Sequence, residues 1–270
     1  MIMSETALHV PHVIRESAGV IAVWKPAGLA TQAPPGITSA ESWLRHAVYG
    51  ESSEGYLGVP HRLDRGVSGV VLFAVTPRAA RKLSRQFERR QVRKSYLAIV
   101  ACGESAREAV DAIVRAAAEA EAGNDGPDTP SGAVTWRDSL EKIPEEARAR
   151  IVAADEPGGR EAVTLVRLVR RLPPDRLLLE LSPVTGRMHQ LRLQAAARGI
   201  PIVGDDLYGA ADATWGGSMQ TGVAETSAGD ESRARPIALH ARRITYADPD
   251  TGGDVTIEAV LPGYWPESAR

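Results

Sequence analysis

The stretch HRLDRGVSG, residues 61–69, sets one carboxylate, Asp64, between two guanidinium groups, Arg62 and Arg65, just ahead of the apolar run GVVLFAV. A carboxylate so placed is either half of a salt bridge or a nucleophile that a paired cation keeps charged. Some thirty residues on, RKSYLAIV sets Lys94 and Tyr96 at the head of a second apolar run, and TGRMHQLR adds Arg187, His189 and Leu191. Taken singly these residue types are ambiguous. A tyrosine on an apolar strand is usually core with its hydroxyl satisfied. His61, His189 and His240 lack the spacing of a metal-binding pair and have no carboxylate cluster beside them, so structural or hydrogen-bonding roles suit them better than metal ligation.

The elements that must position these residues follow from periodicity and punctuation. GVIAVWKPAGLATQAPPG (19–36) is a short apolar strand broken by Lys25-Pro26 and Gly28, followed by a loop. SAESWLRHAVYG (39–50) has helical spacing, with Ser39 or Ser42 as cap and Gly50 as stop. GVVLFAV (69–75) is a buried strand, ended by Thr76-Pro77. The helix over 77–92 starts with Pro at its first position, puts Ala80, Leu83 and Phe87 on one face, and covers the rest with arginines. KSYLAIVAC (94–102) returns as a strand. The pattern then fades from about Glu104 to Gly159. Two alternating runs flanking Pro173-Pro174 predict an antiparallel hairpin, 186–199 a helix stopping at Gly199, and the last runs a hairpin turning at Asp250–Gly253. Segments near 104–132 and 209–236 are expected to be flexible insertions. Irregular alternation of strands and helices, with several hairpins, argues for an α+β fold with a mixed sheet rather than a doubly wound parallel one.

Composition narrows the function classes. The 270 residues carry a net charge of −2, yet His61–Lys94 holds ten Lys/Arg against Asp64 and Glu88, a local charge of +8. Such asymmetry marks either a polyanion-binding surface or a solvated helix face. The single cysteine, Cys102, excludes an intramolecular disulfide and a Cys-based zinc site. The first residues lack an apolar stretch behind a basic start, and no apolar run approaches the ~20 residues of a membrane span. A cytoplasmic location without membrane partners is expected.

Three blocks, HRLDRGVSG, RKSYLAIV and LSPVTGRMHQLRLQAAARGIPIVGDDLYG, resemble in this order those of the RluA family of RNA pseudouridine synthases. VIAVWKPAGLATQ is similar to the family's opening Lys-Pro-x-Gly block, and IALHARRITY…VLPGYW to its closing hairpin. The resemblance covers most of the chain outside the two insertions. It implies a pseudouridine synthase fold: a mixed, largely antiparallel sheet flanked by helices, with a central catalytic cleft. Residues 1–18 would be an N-terminal extension, too short for the S4 RNA-binding module of some relatives, and 19–270 the catalytic domain.

Roles are implied residue by residue. Asp64 falls on the catalytic aspartate, Tyr96 on the tyrosine that stacks on the target base and relays its C5 proton, and Arg187 on the arginine that pairs with the aspartate. Arg62 falls where a relative fills the gap left by a flipped base, and Leu191 on an apolar position beneath that base. His61, Lys94 and His189, inside the same blocks, are expected to contact substrate. One departure stands out: Val67 replaces the family's usual Thr, so any hydrogen bond from that hydroxyl to the Asp loop must be replaced. The implied enzyme isomerises uridine in ribosomal or transfer RNA, as a monomer and without cofactor or metal. Isomerisation gains no group and transfers no electrons. A target inside folded RNA must leave its stack, and the Arg-rich helix would track phosphates. A non-catalytic RNA-binding or ribosome-assembly factor keeping the fold is the alternative, opposed by the intact Asp64, Tyr96 and Arg187. A metal-dependent RNA hydrolase lacks the acidic cluster to hold two ions.

Overall fold

The computed structural model describes residues 10–122, 131–209 and 235–270. In chain order these form β1 (His12–Ser17), β2 (Val20–Lys25), α1 (Ala40–Tyr49), β3 (Ser68–Ala74), α2 (Pro77–Glu88), β4 (Arg93–Ala101), α3 (Arg107–Glu121), β5 (Ala133–Lys142), β6 (Ala149–Val152), β7 (Arg160–Leu172), β8 (Arg176–Pro183), α4 (Gln190–Ala197), β9 (Leu239–Ala247) and β10 (Asp254–Glu258). The mixed, largely antiparallel α+β architecture is the expected one. The chain divides into two compact units. One comprises Met1–Lys94 and Gly216–Pro266, with Arg270; the other comprises Ser95–Trp215 and Glu267–Ala269.

In the first unit β1 and β2 form a hairpin whose turn residues, Ala18 and Gly19, both take positive φ, the conformation that matches strand twist across a two-residue loop. β2 pairs antiparallel with β3, β3 pairs parallel with β9, and β9 pairs antiparallel with β10. β2 and β3 are buried along their whole length, which is why they read as unbroken apolar runs. Ser39 caps α1 in a reciprocal capping box with Ser42. The Thr76 hydroxyl caps α2 by accepting from the Ala79 N–H, and Pro77 fills the first turn. The buried face of α2 is Ala79, Ala80, Leu83 and Gln86, with Phe87 at its edge. It packs on Val20, Ala22 and Trp24 of β2, Val70 and Leu72 of β3, and Ile244 and Tyr246 of β9. Truncating the fully buried Leu83 to Ala would cost about 2–5 kcal/mol.

The second unit is an antiparallel array in the order β4-β8-β7-β5-β6, which the chain enters through Arg93 and Lys94 at the start of β4. β7 and β8 are the long hairpin expected around Pro173-Pro174, a cis peptide.

Three expectations change. Residues 12–17, read as part of an extension, are strand β1. Most of the insertion near 104–132 is ordered as α3, because Arg107–Glu121 keeps Ile113 buried on a helix of good formers; 123–130 lie outside the described residues. Of the insertion near 209–236, residues 210–234 also lie outside them. The helix expected over 186–199 starts only at Gln190, since His189 has left-handed backbone (φ 52°).

Candidate active site

Asp64 is half-buried on the loop that leads into β3. The loop closes as a turn, with the Val67 N–H donating to the Asp64 carbonyl at 3.1 Å. A second loop, 26–31, is hydrogen-bonded along it. The buried Thr31 hydroxyl donates to the Leu63 carbonyl at 2.9 Å and accepts from the Leu63 N–H at 3.0 Å. The Gly28 N–H donates to the Arg65 carbonyl at 2.8 Å, and Arg65 Nε returns a bond to the Gly28 carbonyl at 2.8 Å. Both residues flanking the acid are therefore held by main-chain bonds. At Val67, itself 2% exposed, no hydroxyl is needed to close this turn.

Beneath the loop lies Lys25, wholly buried at the end of β2. Its ammonium donates to the carbonyls of Leu29 (2.6 Å), Pro26 (3.0 Å) and Arg65 (3.3 Å), three acceptors for three protons. Burial pushes its pKa down to about 7; the Asp64 charge pulls it up and Arg65 pushes it further down.

The Ser-Gly that ends the block has a packing reason. Ser68 Oγ lies 2.9 Å from His240 Nδ1 across the β3–β9 pair, and His240 Nε2 lies 3.3 Å from the Ala259 carbonyl. The ring therefore carries its proton on Nε2 and accepts from Ser68. Burial pushes the pKa of His240 down to about 3. Gly69 (φ 120°) brings β3 so close to β9 that a Cβ there would strike the Ala241 backbone.

His61 Nε2 accepts the Leu72 N–H at 2.9 Å, and its ring stacks on Phe87 at 4.7 Å. Burial, with a smaller push from Lys94, lowers its pKa to about 3, so it is neutral at physiological pH. With these contacts it is a strut between the Asp loop, β3 and α2. Burial also lowers the pKa of Lys94. Arg62 is exposed. Along α2, Arg78 pairs with Asp250 and Lys82 donates to the Pro249 carbonyl, while Arg81, Arg85 and Arg89 form an exposed stripe at intervals of four.

In the second unit Tyr96 is half-buried on β4, opposite Leu181 of β8. Arg187 sits on the turn between β8 and α4, where a buried network holds it. Gln190 uses all four of its hydrogen-bonding sites. Its Oε1 accepts from the Thr185 hydroxyl (2.7 Å) and the Arg187 N–H (3.0 Å), and its Nε2 donates to the Val163 carbonyl (3.0 Å) and Thr164 Oγ1 (2.9 Å). Thr164 passes its proton bond on to Gln194 Oε1 at 2.7 Å, and Gln194 donates to Asp138 at 2.7 Å. Arg187 Nε itself donates to the Glu161 carbonyl at 3.0 Å. His189 follows, with Nδ1 2.9 Å from the Tyr208 hydroxyl, and Leu191 is 7% exposed on α4.

The structure thus gathers Asp64, Arg62, His61 and Lys94 in the first unit, and Tyr96, Arg187, His189 and Leu191 in the second. Sequence reasoning assigned no role to Lys25, Thr31, Gln190 or Tyr208. Lys25 had a signal, a charge at the end of an otherwise apolar strand. Gln190 and Gln194 had one too, two amides one helical turn apart on a mostly apolar segment. Among the described residues, no three His, Cys, Asp or Glu side chains converge to hold a metal.

Residues 19–197 match the family model of the RNA pseudouridylate synthases. The ribosomal large subunit pseudouridine synthase C of Rickettsia felis is 31% identical over 255 residues, 94% of this chain and 68% of that protein. The tRNA pseudouridine synthase C of Salmonella typhimurium is 30% identical over 262 residues, 94% of this chain and 86% of that protein. The solved structure of human RNA pseudouridylate synthase domain containing 4 superposes with a TM-score of 0.62 at 21% identity, covering 96% of this chain and 92% of that one, and shares the fold. With the sequence blocks, the clamped Asp64 loop and these matches together, the chain belongs to the RNA pseudouridylate synthase family, in its RluA branch.

Proposed function

We propose that the protein isomerises specific uridines of ribosomal or transfer RNA to pseudouridine, acting as a cytoplasmic monomer. The observation that carries the reading is Asp64, intact and held at its own main-chain carbonyl and at both neighbouring residues, in a chain of this family. The reaction breaks the C1′–N1 bond, forms C1′–C5 and moves the C5 proton to N1, so composition is unchanged and no co-reactant is consumed. A charged carboxylate can attack carbon or support a cationic sugar and then depart. We assign Asp64 this task, Tyr96 stacking on the base and relay of the C5 proton, and Arg187 charge pairing with the aspartate. Arg62 fills the space left by the extruded base, and Leu191 packs beneath the base. His61, Lys94 and His189 support substrate binding, His61 through the loop it braces. The exposed Arg81–Arg85–Arg89 stripe lies along RNA phosphates.

The test is a single-nucleotide pseudouridine map of RNA from cells lacking the gene, with wild type or Asp64→Ala restored. Loss of one or a few sites, regained only with wild type, supports the reading and identifies the substrate. Equal restoration by Asp64→Ala would instead mean a binding factor.

A further inference from the structure

Between α1 and the Asp64 block, residues 50–60 have no part in the assignments above, yet they are closely held around one exposed ring. The Tyr49 hydroxyl donates to the Tyr56 carbonyl at 2.6 Å, and Arg45 Nη1 donates to the Gly55 carbonyl at 2.8 Å. Gly58 exchanges both main-chain hydrogen bonds with Ala74 at the end of β3, at 2.8 and 2.9 Å. The backbone at Tyr56 is therefore fixed from both sides. Its ring lies beside Gly58 at the edge of α2, where a Cβ on Gly58 would come within 2.9 Å of Ala80 Cβ and 3.1 Å of the Tyr56 hydroxyl. Only glycine lets the ring and the helix approach this closely.

Tyr56 is nonetheless 44% exposed, and among the described residues its hydroxyl has no hydrogen-bond partner. Its neighbours define what can cover it. Ala80 is followed on α2 by Arg81 and, one turn on, by Arg85, both exposed and neither paired with a carboxylate among the described residues. Glu51 and Glu54, exposed on the same loop, repel phosphate at the ring itself. A ligand with a flat face for Tyr56 and negative charge for the neighbouring arginines is an unpaired nucleotide strand, since aromatic rings stack on any base while cations follow the backbone. From Gly58 the chain runs beside β3 toward the acid: Gly58 pairs with Ala74, His61 accepts from the Leu72 N–H, and the Asp64 turn leads into Ser68. Ser68 and Ala74 lie about 20 Å apart along the strand. That is about six nucleotides at stacked spacing.

We propose that Tyr56 stacks on an unpaired base of the substrate RNA, several nucleotides from the uridine that reacts, with the phosphates of the same strand on Arg81 and Arg85. The distance to a reacting uridine rests on the synthase reading; the stack on an RNA base does not.

The test uses the full chain and a single-stranded uridine 15-mer carrying one 2-aminopurine, with binding followed by fluorescence at several salt concentrations. Tyr56→Ala weakens binding about 5- to 100-fold at every salt concentration and leaves the slope of log K against log salt unchanged, because a stack is lost and no charge. Tyr56→Phe and Tyr56→Trp bind within about threefold of wild type, whereas Tyr56→Leu falls with Tyr56→Ala. All four variants keep the wild-type urea midpoint, since an exposed ring without a hydrogen-bond partner holds little else in place. Wild-type affinity in Tyr56→Ala, a changed salt slope, a loss that follows a lowered urea midpoint, or no binding of the 15-mer by the wild type would each overturn the proposal. Full binding by Tyr56→Leu would overturn it too, pointing to an apolar protein partner. If binding depends on Tyr56 as expected but the wild type makes no pseudouridine, the synthase reading fails and the stack stands. If pseudouridine forms and Tyr56→Ala binds like wild type, the stack alone fails.

Discussion

The Asp64 loop and the Arg187 turn carry the two charged residues assigned to the chemistry, and they are mounted by opposite means. The loop is held through its own main-chain groups: the Arg65 carbonyl pairs with the Gly28 N–H and the Lys25 ammonium, and the Leu63 N–H and carbonyl pair with the Thr31 hydroxyl. The turn is held by side chains, with Gln190, Gln194, Thr164 and Thr185 bonded in series. A loop held through its own main chain tolerates exchange of most side chains it carries, and Val67 closes its turn through its N–H alone. A side-chain mount depends on the identity of each member, since removing one leaves its neighbours buried and unpaired.

The comparison can be sharpened by substitution. The largest expected effect is at the acid itself: Asp64→Asn lowers single-turnover pseudouridine formation by about a thousandfold or more while RNA affinity stays within a few fold. A rate near wild type would remove Asp64 from the chemistry and the loop from the comparison. Next is Gln190→Ala, which strands two donors and two acceptors and destabilises the protein by about 2–4 kcal/mol in urea unfolding. Thr31→Val strands the Leu63 N–H and carbonyl, for about 1–3 kcal/mol, and Thr31→Ser restores most of it. Equal tolerance of Gln190→Ala and Val67→Ala would show that the two mounts do not differ.

The first unit also has an acid sensitivity of its own. His61 and His240 fold with pKa values of about 3 against 6.5 unfolded. Between those values the unfolded chain binds more protons, so stability is present above pH 6.5 and is lost as pH falls toward 3. From pH 7 to pH 5 each ring contributes a loss of about 2 kcal/mol, and His61→Gln removes its share of that slope. The smallest effect concerns binding. Arg81→Ala with Arg85→Ala weakens RNA affinity modestly and lowers the slope of log K against log salt by about 1.4–1.8, the release of two phosphates' counterions. An unchanged slope would return the stripe to a solvated face.

Most elements were legible because their cues are local. The Ser39 cap, Thr76-Pro77 before α2, Pro173-Pro174 between β7 and β8, and the apolar run of β3 each act within a few residues. The start of α4 was not, since His189 takes positive φ beside bonds of Gln190 and Tyr208 that span 19–27 residues. Strand β1 was missed because its burial is partial and alternates weakly. Asp64, Tyr96 and Arg187 are singled out only through family resemblance. Lys25 and Thr31 were not, because their partners are backbone atoms, which leave no trace in residue type, and those on the Asp64 loop lie 40 and 32 residues away.

The pairing of Ser68 with His240 has a consequence for synthesis. Strand β9 completes the core of the first unit, so a chain emerging from the ribosome cannot finish that unit until residues beyond 240 appear. The second unit is almost continuous in sequence and can fold while its predecessor waits. During translation the unit begun first is therefore completed last, and the segment carrying Asp64 stays without its β9 partner until the end.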